Sequence, residues 1–441
     1  QDGAPISNNA NLQVMNPSVR GGTSTLSGGA SPAGGFDTRL LSLESVESVE
    51  VVRGVPSVSH GDLTSGAVLI TSKAGRAPLV IKARTNPNLY HFSAHKGFSF
   101  DKNGGSLNVS GEYARNTSSP ISSYNYFTRA VGKLLYSNTF FDGKWRTNTS
   151  LDLWYGRDKR DRNPDDAANE LESDGRNLRF AMNSNGTINI DKGWLKNIKY
   201  VVSGSYYDKY SFLTQLYTSA TAPYSMTDVD GAIIANQPGR VLYDVSGKPL
   251  TKYDGVDPTH YAHYLPSNYK GRYDLYGREL SFFSSATATF FGKLGATNHR
   301  ILLGFNYSVD GNIGRGKEFS PEFPPFRNIA AHNATFRPRP YREIPFVHEL
   351  GLFAEENFSW KIADRHLVNW QAGLRWDQIS LVGGKLSPRT NLSIEIVPNW
   401  LYVRGAYGVT AKMPTLLYLY PERAYFCLLY TSDAADDSLR V

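Results

Sequence analysis

Hydrophobic and polar residues alternate with period two over long stretches of this chain. "GSLNVSGEYAR" sets Leu107, Val109, Gly111 and Tyr113 against Ser106, Asn108, Ser110 and Glu112. "KWRTNTSLDLWYG" sets Trp145, Thr147, Thr149, Leu151, Leu153 and Tyr155 against Arg146, Asn148, Ser150 and Asp152. "HLVNWQAGLRWD" sets Val368, Trp370, Ala372, Leu374 and Trp376 against Asn369, Gln371, Gly373, Arg375 and Asp377. One apolar and one polar face per segment predicts β-strands. These runs reach ten or more residues, where strands of soluble sheets usually have about five or six. Tilted strands of roughly 9–11 residues cross a bilayer.

The connections carry a second pattern. Short ones, "DKNGG" at 101–105, "DG" at 142–143, "DKGWLKN" at 191–197, "GKLGATN" at 292–298, "AD" at 363–364 and "PN" at 398–399, alternate with others. Those others are long at about 117–125, 157–175, 212–268 and 313–345, and short at 86–88 and 382–385. Short turns on one rim and mostly long loops on the other are the pattern of an outer-membrane barrel. A soluble sandwich or propeller has no reason to segregate its loops by length. From about Leu79 onward the pattern predicts thirteen strands. The predicted fold is therefore dominated by β-structure: a partial transmembrane antiparallel barrel, 13 strands of the about 22 found in plugged transporters.

The first residues read differently. Residues 1–35 are rich in Gly, Ser, Asn and Ala and show almost no periodicity, which predicts loops. A short amphipathic piece, Asp37 to Leu43, precedes "VESVEVVRG" and "GAVLITSKAG", two short strands around a turn.

Composition sharpens the picture. Hydrophobic residues make up 40% of the 441, mean hydropathy is −0.38, and no run approaches a membrane-spanning helix. A barrel faces lipid on one side of each strand only, so its average hydropathy stays low. Aromatics at 13% suit interfacial girdles or a carbohydrate-binding surface. The net charge of +7 is scattered rather than gathered into a basic block, so nucleic acid is not a predicted partner. The lone cysteine, Cys427, excludes disulfide and thiolate-metal schemes. The chain starts at Gln1 without Met or signal peptide and reads as truncated there. Residues 427–441, "CLLYTSDAADDSLRV", abruptly lose the strand pattern; they resemble translated sequencing adapter and are read as non-native.

Four motifs, in order, resemble one family. "VESVEVVRGVPSVSHGDLTSGAVLITSKAG" is similar to the end of the plug domain of TonB-dependent outer-membrane receptors, and "DGAPI" (Asp2 to Ile6) to an upstream element of that plug. "GLRWD" (Gly373 to Asp377) and "RGAYGVTAKMPTLLYLYP" (Arg404 to Pro421) resemble two barrel signatures. His60 stands where an aromatic Tyr is usual, and Ala67 replaces a common second Gly. The Val52-Arg53-Gly54 pattern looks more like the general receptor branch than the starch-utilisation branch.

The resemblance implies a division into the C-terminal part of a plug (1–76), the N-terminal part of a transmembrane barrel (77–426) and the tail (427–441). It implies active import of a siderophore, vitamin or glycan across the outer membrane of a Gram-negative bacterium, with no enzymatic activity and no cofactor. The implied partners are the inner-membrane TonB complex, whose contact segment lies N-terminal to the plug, outer-membrane lipid, the ligand and a surface lipoprotein. A passive or surface-binding barrel is the alternative, and a secreted β-rich glycan hydrolase a further one. The hydrolase would need two carboxylates about 5–9.5 Å apart across a cleft.

Candidate residues follow from this reading. Glu50 and Arg53 would pair with Glu355, Glu356 or Arg375 to lock plug to wall; a cross-strand surface pair is the bland reading. In the two long loops Tyr217, Tyr253, Tyr261, His260, Arg315, Arg327, Phe326, Arg337 and Arg339 are the candidates for ligand contact. Aromatics stack on flat or sugar faces and arginines suit carboxylates or an anionic chelate; self-packed loops with arginines on lipid phosphates are the alternative. The loop 158–174 gathers Asp161, Asp165 and Asp166. Clustered oxygens can hold Ca²⁺, but the spacing is not that of an EF-hand and a solvated acidic loop is the plainer reading. His91 and His95 share a strand face with no further ligands nearby.

Overall fold

The computed structural model describes residues 1–13 and 41–421, apart from residues 53, 64–65, 101–103, 118, 122–123, 166–169, 219–224, 228–241, 244–248, 251–261, 265–267, 321–322, 324–337, 363–365 and 398–399. A 3₁₀ turn (Leu43–Ser45) leads into an antiparallel hairpin of β1 (Val46–Val52) and β2 (Ala67–Ser72). The wall begins with β3 (Ala77–Asn86), β4 (Leu89–Ser99), β5 (Ser106–Thr117), β6 (Asn125–Phe140), β7 (Trp145–Arg160), β8 (Glu172–Lys192) and β9 (Leu195–Thr218). Four short strands lie in the next connection: β10 (Ser225–Thr227) pairs with β13 (Ala262–Tyr264), and β11 (Leu242–Tyr243) with β12 (Pro249–Leu250). The wall resumes with β14 (Asn268–Leu294), β15 (Thr297–Asn312), β17 (Val347–Ile362), β18 (His366–Ile379), β19 (Gly383–Val397) and β20 (Leu401–Gly408). A four-residue strand, β16 (Gly316–Phe319), folds back onto β14, and a one-turn helix α1 (Leu416–Leu419) follows β20.

The thirteen long strands form one antiparallel meander from β3 to β20, each paired with its neighbours in chain order. The alternation predicts this number, and the two sets of connections fall on opposite rims. Strand lengths are where the structure goes further. β8, β9 and β14 run to 21, 24 and 27 residues, and β9 continues to Thr218, so the loop read from 212 starts later. At about 3.3 Å per residue, β14 is far longer than a hydrocarbon core of about 30 Å requires, even when tilted. The wall therefore extends well beyond the apolar band on the long-loop side.

Side chains on one face carry that band. Phe92, Tyr113, Leu134, Leu151, Leu153, Phe180, Leu303, Phe305, Leu352, Trp370, Leu374 and Trp376 are all exposed. The alternate positions face inward and are largely polar and buried, among them Glu112, Lys133, Asp152, Asn183, Lys209, Glu355, Arg375 and Arg389. No described helix is long and apolar enough to cross a membrane.

Residues 1–13 and 41–75 form an inner unit on that polar face. It touches β5 through Asn108, β6 through Lys133, β8 through Asn183, β9 through Ser211, β15 through Asn312, and β17, β18 and β19 through Glu355, Arg375 and Arg389. A unit this small reaches so many strands only because the sheet curves around it. β3 and β20 end the meander with one neighbour each, and most of their residues are exposed.

Candidate functional site

The bend between β1 and β2, Val55 to Asp62, meets the wall at mid-height. Glu355 of β17 accepts from the Ser57 hydroxyl at 2.7 Å and the Val58 backbone N–H at 3.0 Å. Its other oxygen is held by Asn357 at 3.0 Å. Arg375 of β18, 1% exposed, donates to the Val58 carbonyl at 3.3 Å and to Asn306 at 2.7 Å, and pairs with Asp377 at 2.6 Å. Arg389 of β19 donates to the carbonyls of Ser57 and His60, and Asn391 donates to that of Val55 at 3.3 Å.

Two glycines make room for this close approach. A side chain on Gly373 would stand 2.7 Å from Val58, and one on Gly61 would collide with the Arg375 guanidinium. The His60 ring sits among these groups. Burial, then the positive charges of Arg389 and Arg375, hold its pKa below the ordinary imidazole value, while Glu355 and Glu50 act in the opposite sense.

A second contact involves the start of the chain. Asp2 and Gly3 have φ of 51° and 85°, the left-handed turn that Asp-Gly tolerates well. This turn aims the Asp2 carboxylate at the Ser72 backbone N–H and hydroxyl, both at 2.7 Å, and at Lys133 of β6 at 3.0 Å. Lys133 also lies 3.1 Å from Asp152 of β7. Nearby, Ile6 and Leu41 pack against buried Val131 and Trp154.

A third contact lies at the long-loop rim. The Asn9 amide donates to Asp310 at 3.2 Å and to Asp62 at 3.4 Å. Asp62 in turn accepts from Lys412 at 2.7 Å and from the Met413 backbone N–H at 2.6 Å. Above it Ala10 and Leu12 enter an apolar cluster with Tyr273, Leu275, Tyr341, Met413 and Leu416.

The structure brings Glu355 and Arg375 to the inner unit. Glu356, one residue on, faces outward because side chains alternate along a strand; it pairs with His299 at 2.6 Å. Glu50 is exposed in β1, opposite Leu69, and Arg53 lies outside the described residues. Of the loop candidates, Arg315 lies on the outward face of the rim, 3.8 Å over the Tyr276 ring and 3.5 Å from Glu318. Arg339 bridges to Lys317 through its backbone and donates to the Tyr420 carbonyl at 2.5 Å. Tyr217 pairs with Tyr269 in the β9–β14 ladder. Tyr253, Tyr261, His260, Phe326, Arg327 and Arg337 lie outside the described residues, as do Asp166 and the segment 427–441. Asp161 is paired with Lys159 at 2.6 Å, and the Asp165 N–H donates to Asn163 at 3.0 Å. His91 contacts Glu112 at 2.9 Å.

Sequence reading missed Arg389, Asn391, Lys133, Asp152, Asp310 and the roles of Asp2 and Asn9. The signal available was weak: each is one polar residue on the polar face of an alternating strand, or in a loop-like segment.

Residues 112–436 match the family model for the TonB dependent receptor-like β-barrel. The chain belongs to the TonB-dependent receptors. Receptors of this family are outer-membrane proteins rather than enzymes. Among solved structures, the ferric enterobactin receptor of Pseudomonas aeruginosa is similar with a TM-score of 0.56 at 16% identity, over 95% of this chain and 55% of that one. The siderophore receptor PirA of Acinetobacter baumannii gives 0.46 at 14% identity, over 86% and 50%. At 16% identity the likeness to the enterobactin receptor is one of fold. This TonB-dependent chain thus spans about half the length of these receptors. No curated protein sequence matched it.

Proposed function

We propose that the inner unit is the plug of an active importer, with residues 1–76 as plug and the strands from 77 onward as wall. The observation that carries this reading is the nature of the mid-height contact. The bend Val55–His60 is held by individual hydrogen bonds that it donates to Glu355 and accepts from Arg375, Arg389 and Asn391 rather than by an apolar core. Water replaces such bonds one at a time, at a net cost of about 1.5–3 kcal/mol each where one partner is charged, so a pull on the plug can release them in turn. An apolar seat of the same area would resist until broken as a whole.

In this reading the ligand binds above the plug among the long loops, and inner-membrane energy transmitted by TonB moves the plug. Apart from outward-facing Arg315 and buried Lys317, the connection 313–345 carries Arg327, Arg337, Arg339 and Arg342 against three Glu, which favours an anionic ligand such as a ferric chelate over a neutral glycan. The test is growth of an iron-starved host expressing the full-length gene, fed defined ferric siderophores, with and without TonB. Uptake that depends on both gene and TonB supports importer and ligand class. TonB-independent passage would mean a passive barrel, and TonB-dependent uptake of a glycan alone would keep the importer and replace the ligand class.

A further inference from the structure

The rim on the long-loop side is not level. β8, β9 and β14 rise far above the apolar band, whereas β18 and β19 have only 14 and 15 residues and are joined by a tight turn, 380–382. The ladder that ends at Ile379 runs through Glu349 and Ser308 to Phe283, and β14 continues from there to Asn268. The wall is therefore cut down at β18–β19, between the connection 313–346 and the segment that follows β20.

The side chains on this low edge differ from those of the tall side. There the upper strand residues include Arg176, Arg272 and Arg315, stacked on Tyr210, Phe212 and Tyr276. Here Leu381 is 68% exposed and Val382 is exposed beside it. Leu381 has φ of 68°, a left-handed conformation that usually falls to Gly or Asn. The turn is pinned in that shape. The Ser380 N–H donates to the His348 carbonyl at 2.9 Å, and the Ser380 hydroxyl accepts from the His348 N–H at 3.0 Å. Apolar surface lies on both sides of the edge. Outside it Trp376 and Leu386 are exposed and paired across β18 and β19. Inside it Ile379 packs with Met413 and Leu416, and α1 leaves Tyr418 61% exposed. The turn Tyr341–Glu343 buries Tyr341 in the same cluster and leaves Arg342 exposed, with no carboxylate partner among the described residues.

A rim that is apolar from the lipid band to the vestibule, with a spare cation behind it, matches a ligand with an anionic head and a hydrocarbon tail. A wholly water-soluble chelate gains nothing from a leucine held exposed in a left-handed turn. We propose that the low edge at β18–β19 is the way in for an amphiphilic ligand, an anionic ferric chelate carrying an acyl chain. Its tail passes over Leu381 and Val382 onto Leu416 and Tyr418, while its head meets Arg342, whose planar fork suits carboxylate or catecholate oxygens. One acyl chain gives reversible membrane binding, so such a ligand gathers at the cell surface and still leaves it. The inference narrows the ligand class proposed above and rests on it.

The test feeds iron-starved cells expressing the full-length gene with a ferric tris-catecholate, with and without a saturated acyl chain, each carrying radioactive iron. The parent protein is expected to take up the acylated form with about tenfold higher apparent affinity, as burial of roughly two methylenes gives. Leu381→Asn combined with Val382→Ser keeps the left-handed turn, which Asn tolerates, and removes the apolar edge. It should cut the preference about threefold or more, since most of the tail's contact is lost. Leu381→Gly, which relieves the turn, is the second variant and should act in the same direction. A preference unchanged in both variants assigns it to partition into the membrane and overturns the proposal. Uptake of both forms alike by the parent overturns the entry route alone, whereas gene-dependent uptake of neither form overturns the ferric-chelate reading and the route with it.

Discussion

One guanidinium nitrogen of Arg389 lies 2.7 Å from the carbonyl oxygen of Ser57, far away in the sequence, and 2.9 Å from that of His60. A single side chain thus ties together two carbonyls of the bend, one of which, that of Ser57, also accepts from the His60 N–H at 3.1 Å.

Arg389→Ala is expected to take a charged donor from both carbonyls, leaving that of Ser57 with the His60 N–H, at a cost of about 1–3 kcal/mol. Arg389→Lys should recover only part, because an ammonium is a point charge without the planar fork. Calorimetry of the full-length receptor in detergent would register the change. An unaltered transition in Arg389→Ala would show that the bend is not held there.

Lys133 stands between Asp2 at 3.0 Å and Asp152 at 3.1 Å, with all three side chains nearly buried. Lys133→Met should cost about 3–5 kcal/mol, since removal of one partner strands the opposite charges. Adding Asp152→Asn to that variant should restore part of the loss. Urea unfolding of the two variants checks this; a double variant less stable than the single one would contradict it.

His60 gives the seat a pH dependence. Its folded pKa lies below the ordinary value, so the unfolded chain takes up the proton first, near pH 6.5. The ring's contribution is complete above pH 6.5 and falls as pH drops toward the lower folded value. His60→Gln should flatten the pH profile of thermal stability across that window. An identical profile in the variant would assign the dependence to other groups.

Trp370, Leu374 and Trp376 are exposed on the outward face, and Gln371 faces inward to Asn391 at 3.0 Å. Ala372→Arg is therefore expected to cost roughly 2–4 kcal/mol in a folding assay into lipid, and Gln371→Arg far less. Equal tolerance at both sites would mean that β18 is not embedded.

Protease added to intact cells expressing the full-length gene should cut within the connections 219–267 or 313–346 and spare the turns at 142–143 and 363–364. Cleavage confined to those turns would invert the topology.

The alternation of polar and apolar residues made the wall legible, since thirteen strands follow from period two and from two classes of connection. It did not show where β9 and β14 end. The alternation simply continues above the apolar band, where the outward residues become Tyr210, Phe212, Arg272 and Asp274. Glu355 and Arg375 were legible as inward charges. Their partners were not, because Val58 and Asn306 meet Arg375 only through the curvature of the whole sheet. Nor does any local pattern mark Asn9 as the partner of Asp310. Glu356 was a wrong-face neighbour by one residue, the smallest error period two allows.

The Asn9 contact also bears on the order of assembly. Asn9 accepts from the Leu416 N–H at 2.9 Å and donates to Asp62 and Asp310, while Lys412 closes on Asp62. These groups come from both ends of the described chain and from β15 between them. Synthesis delivers the inner unit before the wall, yet its last clasp cannot form until the chain beyond β20 has emerged. The inner unit therefore has to wait, unseated, for the wall that will hold it.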